Sequence, residues 1–122
     1  MALRKRLEDE SYELQKLQKE YTQLVDSRRQ LESQLQENQL VDEEFKRLGE
    51  NTKIYKLTGP VLLPQDKTEA VANVEKRLEF IQGEIKRIEG RLEDLEKQQK
   101  GKIEEISRLQ AELQKQVTST SA

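Results

Sequence analysis

Both prolines of this chain, Pro60 and Pro64, lie within one short stretch, Asn51 to Glu69, reading NTKIYKLTGPVLLPQDKTE. A proline lacks a backbone N–H and breaks helices, so its confinement to one place limits where the chain can change structure. On either side lies a long charged segment of nearly equal length with leucine-type spacing. Helix, compact insert and second helix describe a chain that goes out and comes back.

The first segment fits a seven-residue repeat. Its d positions are Leu3, Glu10, Leu17, Leu24, Leu31, Asn38 and Phe45, and its a positions are Leu7, Leu14, Tyr21, Arg28, Leu35 and Asp42. Most are apolar, and the spacing predicts a coiled-coil helix. No glycine or proline precedes Gly49, so Leu3 to Phe45 reads as a rod of roughly 64 Å. Leu48, Gly49 and Asn51 read as the helix end, with glycine in the left-handed cap position. Arg28 in this seam can snorkel outward, or it and its polar companions Glu10, Asn38 and Asp42 can set register.

The second segment carries a positions at Val71, Leu78, Ile85, Leu92, Gln99, Ile106 and Leu113, with d positions at Val74, Ile81, Ile88, Leu95, Lys102, Leu109 and Gln116. Asp66 or Thr68 offers its N-cap, with Glu69 in the first turn. Its seam breaks at Gln99 and Lys102 around Gly101, so the distal half is expected to be the looser one. Folding the chain back brings Phe45 to Val71, Leu24 to Leu92, Leu7 to Leu109 and Leu3 to Leu113. Both seams then meet without a slip as an intramolecular antiparallel coiled coil. A parallel dimer would leave the insert without a purpose. In this register Leu14 and Leu17 face Lys102 and Gln99, and Glu10 faces Ile106, a poor match.

Composition settles which chemistry is available. Charged residues are 38% of the 122 and hydrophobic ones 33%, too little apolar material for an ordinary core and suited to long helices. The net charge of −2 gives no electrostatic case for nucleic acid or an anionic membrane. The chain has no histidine and no cysteine, and its glycines are scattered. Thiol nucleophiles, histidine bases, the usual zinc sites and phosphate-binding loops are therefore excluded. The reading is not an enzyme, with no catalytic, cofactor-binding or metal residues. No leader segment and no apolar run of membrane length is seen, so a soluble protein that is not secreted is expected.

The insert has strand chemistry. Lys53 to Leu57 and Val61 to Leu63 are short β-rich runs around the turn signal Thr58-Gly59-Pro60. A lone two-stranded hairpin is marginal in water, and its edges invite another chain. The hairpin could simply cap the coiled coil; the sharper reading is an assembly element joining strands from several subunits. At the far ends, Leu3, Leu7, Leu109, Leu113 and Val117 gather beside Arg4, Lys5, Arg6 and Lys115. Fraying alone explains exposed apolar groups there, as does an adaptable surface for unfolded clients.

The run YKLTGPVLLPQ, followed by EAVANVEKRLEFIQGEIKRIEGRLEDLE, resembles the β-type subunits of prefoldin, the eukaryotic ones in particular. The likeness is specific at Gly59-Pro60-Val61-Leu62, Arg77-Leu78-Glu79 and Glu84-Ile85-Lys86-Arg87. It implies a mainly α fold, a long antiparallel two-helix coiled coil with a single small β-hairpin between the helices. It divides into an N-terminal helix over 1–48, a hairpin insert over 49–68, a C-terminal helix over 69–117 and a flexible tail over 118–122, one domain in all. It also implies a cytoplasmic heterohexamer of α-type and β-type subunits. That complex is an ATP-independent holdase that passes unfolded proteins such as actin and tubulin to the cytosolic chaperonin. On this chain Ile54, Tyr55, Leu57, Val61, Leu62 and Leu63 would build the subunit platform. Leu3, Leu7, Leu109, Leu113 and Val117 would touch clients, and Arg4, Lys5, Arg6 and Lys115 would meet the chaperonin or client charges. A structural coiled-coil adaptor that oligomerises through its hairpin is the other reading.

Overall fold

The computed structural model describes residues 2–47, 54–58, 61–65 and 67–121. The order of elements is helix α1 (Ala2–Arg47), strand β1 (Ile54–Thr58), strand β2 (Val61–Gln65) and helix α2 (Lys67–Ser121). For the strands only the backbone is described. β1 and β2 pair antiparallel, with Ile54 opposite Gln65, Tyr55 opposite Pro64, Leu57 opposite Leu62 and Thr58 opposite Val61. The expected caps at Gly49 and Asp66 and the turn at Gly59-Pro60 lie outside the described residues.

Two boundaries differ from expectation. α2 begins at Lys67, so Thr68 lies inside the helix instead of capping it. It also continues to Ser121, through residues expected to trail off as a tail. No glycine or proline interrupts 118–121. The Thr118 hydroxyl donates to the Gln114 carbonyl at 2.8 Å, spending its polar group on the helix's own preceding turn.

The chain divides into two compact units. The first comprises residues 1–27 and 88–122, the second residues 28–87. In the first unit the seam of α2 is the core: Ile88, Leu92, Leu95 and Leu109 are buried, Leu95 and Leu109 completely. Closing off a leucine side chain in this way is worth about 2 kcal/mol. Every a and d position of α1 in this unit, from Leu3 to Leu24, is half-buried. Cross-helix pairs give the direction. Arg6 binds Glu105, and Glu20, further along α1, binds Arg91, earlier in α2. The helices therefore run antiparallel in this unit.

In the second unit Ala70, Val74 and Ile81 are buried, and Asp42 of α1 is the buried charged residue. Arg28 keeps its guanidinium partly exposed and reaches Glu32 at 3.7 Å along its own helix, the snorkelling geometry. The Asn38 amide donates back to the Gln34 carbonyl at 2.7 Å. Leu40 and Phe80 stand largely exposed on outer positions. Gly83 of this unit, and Gly90 and Gly101 of the first, face open space. Among the described residues no helix is long and apolar enough to cross a membrane.

Candidate functional site

At the beginning of α1 and the end of α2, in the first unit, the helices leave an open cleft of about 580 Å³. Ala2, Leu3, Leu113 and Val117 give it apolar walls, and Arg4, Arg6 and Gln116 its polar rim. The cause is local. A two-helix seam covers only one stripe on each helix, so apolar side chains beside that stripe keep part of their surface in solvent. Leu3 and Leu113 stay half-buried and Val117 is 46% exposed, so apolar surface faces solvent.

The sequence-predicted surface residues do not all share this place. Leu3, Leu113 and Val117 line the cleft. Leu7 is half-buried, off the lining. Leu109 is completely buried. It occupies a d position of the seam and lies apart from the residues that line the cleft. Ala2 and Gln116 were missed as lining residues. Gln116 occupies a seam position by count, yet it is exposed and lines the cleft.

The basic residues are also separated. Arg4 and Arg6 reach the cleft. Arg6 additionally donates to the Glu105 carboxylate at 2.7 Å, which fixes its guanidinium at the rim. Lys5 lies 3.6 Å from Asp9 on the exposed face of its helix. Lys115 is exposed and off the lining. The cleft can therefore take an apolar side chain and set a guanidinium beside any carboxylate that accompanies it.

Below the cleft the expected mismatch resolves differently. Lys102 meets Glu10, not Leu14, with its ammonium 2.7 Å from the carboxylate. The four-carbon lysine stem reaches along the seam to a polar partner. That hydrogen bond, with the negative charges of Glu10, Glu13 and Glu105, raises the Lys102 pKa. Gln99 keeps the unfavourable character foreseen for it: its buried amide nitrogen has no hydrogen-bond partner among the described residues. Two further contacts flank the seam. Arg91 makes a two-pronged contact with Glu20 at 2.9–3.1 Å, and the Tyr21 hydroxyl donates to Glu96 at 2.9 Å. In the second unit Lys46 binds Asp42 at 3.0 Å, which raises the Lys46 pKa.

The six assembly candidates fall in the strands: Ile54, Tyr55 and Leu57 in β1, and Val61, Leu62 and Leu63 in β2. Their side chains lie outside the described part of the structure. Among the described residues no cluster of carboxylates could hold a metal ion.

Comparison with known proteins places this architecture. A family model described as "Prefoldin subunit" matches residues 8–120. Prefoldin subunit 6 of Saccharomyces cerevisiae is 48% identical over 99 residues, 81% of this chain and 81% of that protein. Prefoldin subunit 6 of Arabidopsis thaliana is 44% identical, over 92% of this chain and 87% of that one, and the Homo sapiens protein of that name is 42% identical over 93% and 88%. The crystal structure of the prefoldin beta subunit from Thermococcus strain KS-1 covers 90% of both chains with a TM-score of 0.52 at 24% identity, a likeness of fold. With a family match over nearly its whole length, the chain belongs to the prefoldin subunit family.

Proposed function

We propose that this co-chaperone subunit holds unfolded proteins through the cleft formed by Ala2, Leu3, Leu113 and Val117, without ATP, and releases them to the cytosolic chaperonin. The observation that carries the reading is that open apolar cleft rimmed by Arg4 and Arg6. A shallow surface of this kind suits weak, adaptable capture of exposed apolar segments. Actin and tubulin are the clients the family resemblance suggests. The arginines would favour segments in which apolar side chains alternate with carboxylates, on a client or on the chaperonin. Lys5 and Lys115 add positive charge outside the cleft. The complex is cytoplasmic in this reading.

The hairpin is the assembly element. β1 and β2 would join strands of α-type and β-type neighbours in a heterohexamer through Ile54, Tyr55, Leu57, Val61, Leu62 and Leu63. Two strands leave free edges, and a pair without neighbours is marginal in water. Replacing Leu57 and Val61 by Asp tests this. Circular dichroism should stay helical while sedimentation shows the higher assembly lost.

The test of the holding activity is suppression of aggregation. The assembled complex is mixed with a chemically unfolded client, and light scattering is followed. Leu3→Ser with Leu113→Ser should reduce suppression several-fold while sedimentation still shows the intact assembly. If the wild-type complex suppresses nothing, the holding role fails and the chain serves as a scaffold. If the double variant suppresses fully, clients bind elsewhere.

A further inference from the structure

We propose that the Glu10–Lys102 pair sets the register and orientation in which the two helices join, acting as a specificity determinant for self-pairing. The two charges sit at d positions of their own helices, in the seam itself. Their atoms approach to 2.7 Å, and the side chains are only 21% and 31% exposed. A lysine and a glutamate half-withdrawn from water in an apolar stripe are costly unless they meet.

The sequence around them makes two alternatives worse, a slide toward Leu109 and a parallel pairing. One repeat away from Lys102, the matching seam positions of α2 are Leu95 and Leu109; one repeat away from Glu10, those of α1 are Leu3 and Leu17. Sliding by one repeat so that Leu109 takes the place of Lys102 sets Glu10 against Leu109 and Lys102 against Leu17. In that slide two half-buried charges lose their partners at once. Parallel pairing between two copies fares no better. Like positions face each other across a parallel seam, so Glu10 would meet Glu10 and Lys102 would meet Lys102. The antiparallel arrangement in the observed register brings the opposite charges together at 2.7 Å, and neither the slide toward Leu109 nor the parallel pairing does. Gln99, one layer away with an unpaired buried amide, shows that this seam is not arranged for the greatest stability. Register matters here because Leu3 and Leu113 line the cleft only when the helix ends are level.

The chain contains no cysteine, so introduced thiols report without background. Arg6 and Glu105 meet in the observed register. In the full-length chain, Arg6→Cys with Glu105→Cys reports that register, and Arg6→Cys with Glu112→Cys reports a slide by one repeat. A short bis-maleimide is applied and products are read by mass. With Glu10 and Lys102 in place, the first pair should cross-link and the second stay at background. Glu10→Leu with Lys102→Leu should keep the helices folded, with a Tm higher by roughly 5 °C. In that background the slid pair should cross-link several-fold above background, or chains should cross-link to one another. The exchanged variant Glu10→Lys with Lys102→Glu should return the native pattern. Should the leucine variant give only the native cross-link, or the exchanged variant behave like the leucine one, the charges do not set the register.

Discussion

The two units share one seven-residue repeat and use it differently. In residues 1–27 and 88–122, polar contacts cross from helix to helix: Arg6 to Glu105, Glu20 to Arg91, Glu10 to Lys102, Tyr21 to Glu96. In residues 28–87 the described ion pairs run along a single helix, as in Arg28–Glu32, Asp42–Lys46 and Glu84–Arg87. Cross-helix pairs hold two segments in one register; pairs along a helix support only the helix they sit on. The unit with the polar interruption, Gln99 and Lys102, thus carries the polar clamps described between helices. The other unit has an apolar seam on α2, Val71, Val74, Leu78, Ile81 and Ile85, and the charge of Glu75 on α2 acts on Lys46 of α1.

The sharpest way to break this contrast is to attack the core of the clamped unit. Leu95→Ala removes a completely buried side chain and should cost about 2–5 kcal/mol. Hydrogen exchange should show amides of residues 88–122 losing more protection than those of 67–87. Equal loss in both units would mean that they open together. A smaller change of opposite sign comes from Gly90→Ala. No atom lies near the position of the added methyl, and alanine favours helix by about 1 kcal/mol. Gly83→Ala in the other unit should gain as much by thermal melting, since its surroundings are as open.

The clamps themselves can be titrated. The folded-state pKa of Lys102 is raised, chiefly by its hydrogen bond to Glu10. Its stabilising contribution is therefore whole below the ordinary lysine pKa and fades as pH climbs through the raised value. Alkaline melts of wild type and Lys102→Met should converge from pH about 10 upward. The smallest effect belongs to Arg91→Ala. Both partners are more than two-fifths exposed, so the loss should be about 0.2–1 kcal/mol and shrink further in 1 M salt. A loss that ignores salt would show that the arginine's stem, not its charge, matters.

Much of this was legible in the sequence because periodicity reports which face is covered. Every a and d position of α1 from Leu3 to Phe45 is buried or half-buried. What periodicity does not report is who faces whom. Glu10 was expected opposite Ile106 and stands bound to Lys102, because a long side chain chooses among several layers. The Glu20–Arg91 bridge depends on the same alignment of the two helices. Leu109 and Leu113 look alike in the pattern, yet one is sealed and the other lines the cleft. Their difference lies in how much of each side chain the facing helix covers, which a repeat cannot state. The extension of α2 to Ser121 was missed because threonines and serines read as tail, while Thr118 binds its own helix.

That separation between Leu109 and the cleft-lining Leu3, Leu113 and Val117 has an evolutionary consequence. The side chains that secure the fold are not the ones that meet solvent in the cleft. Substitutions among Leu3, Leu113 and Val117 should cost folding less than substitutions at Leu95 or Leu109, so lineages can alter this surface without first acquiring compensating changes in the scaffold. Variation among relatives is therefore expected to gather at these three positions sooner than at Leu95 or Leu109.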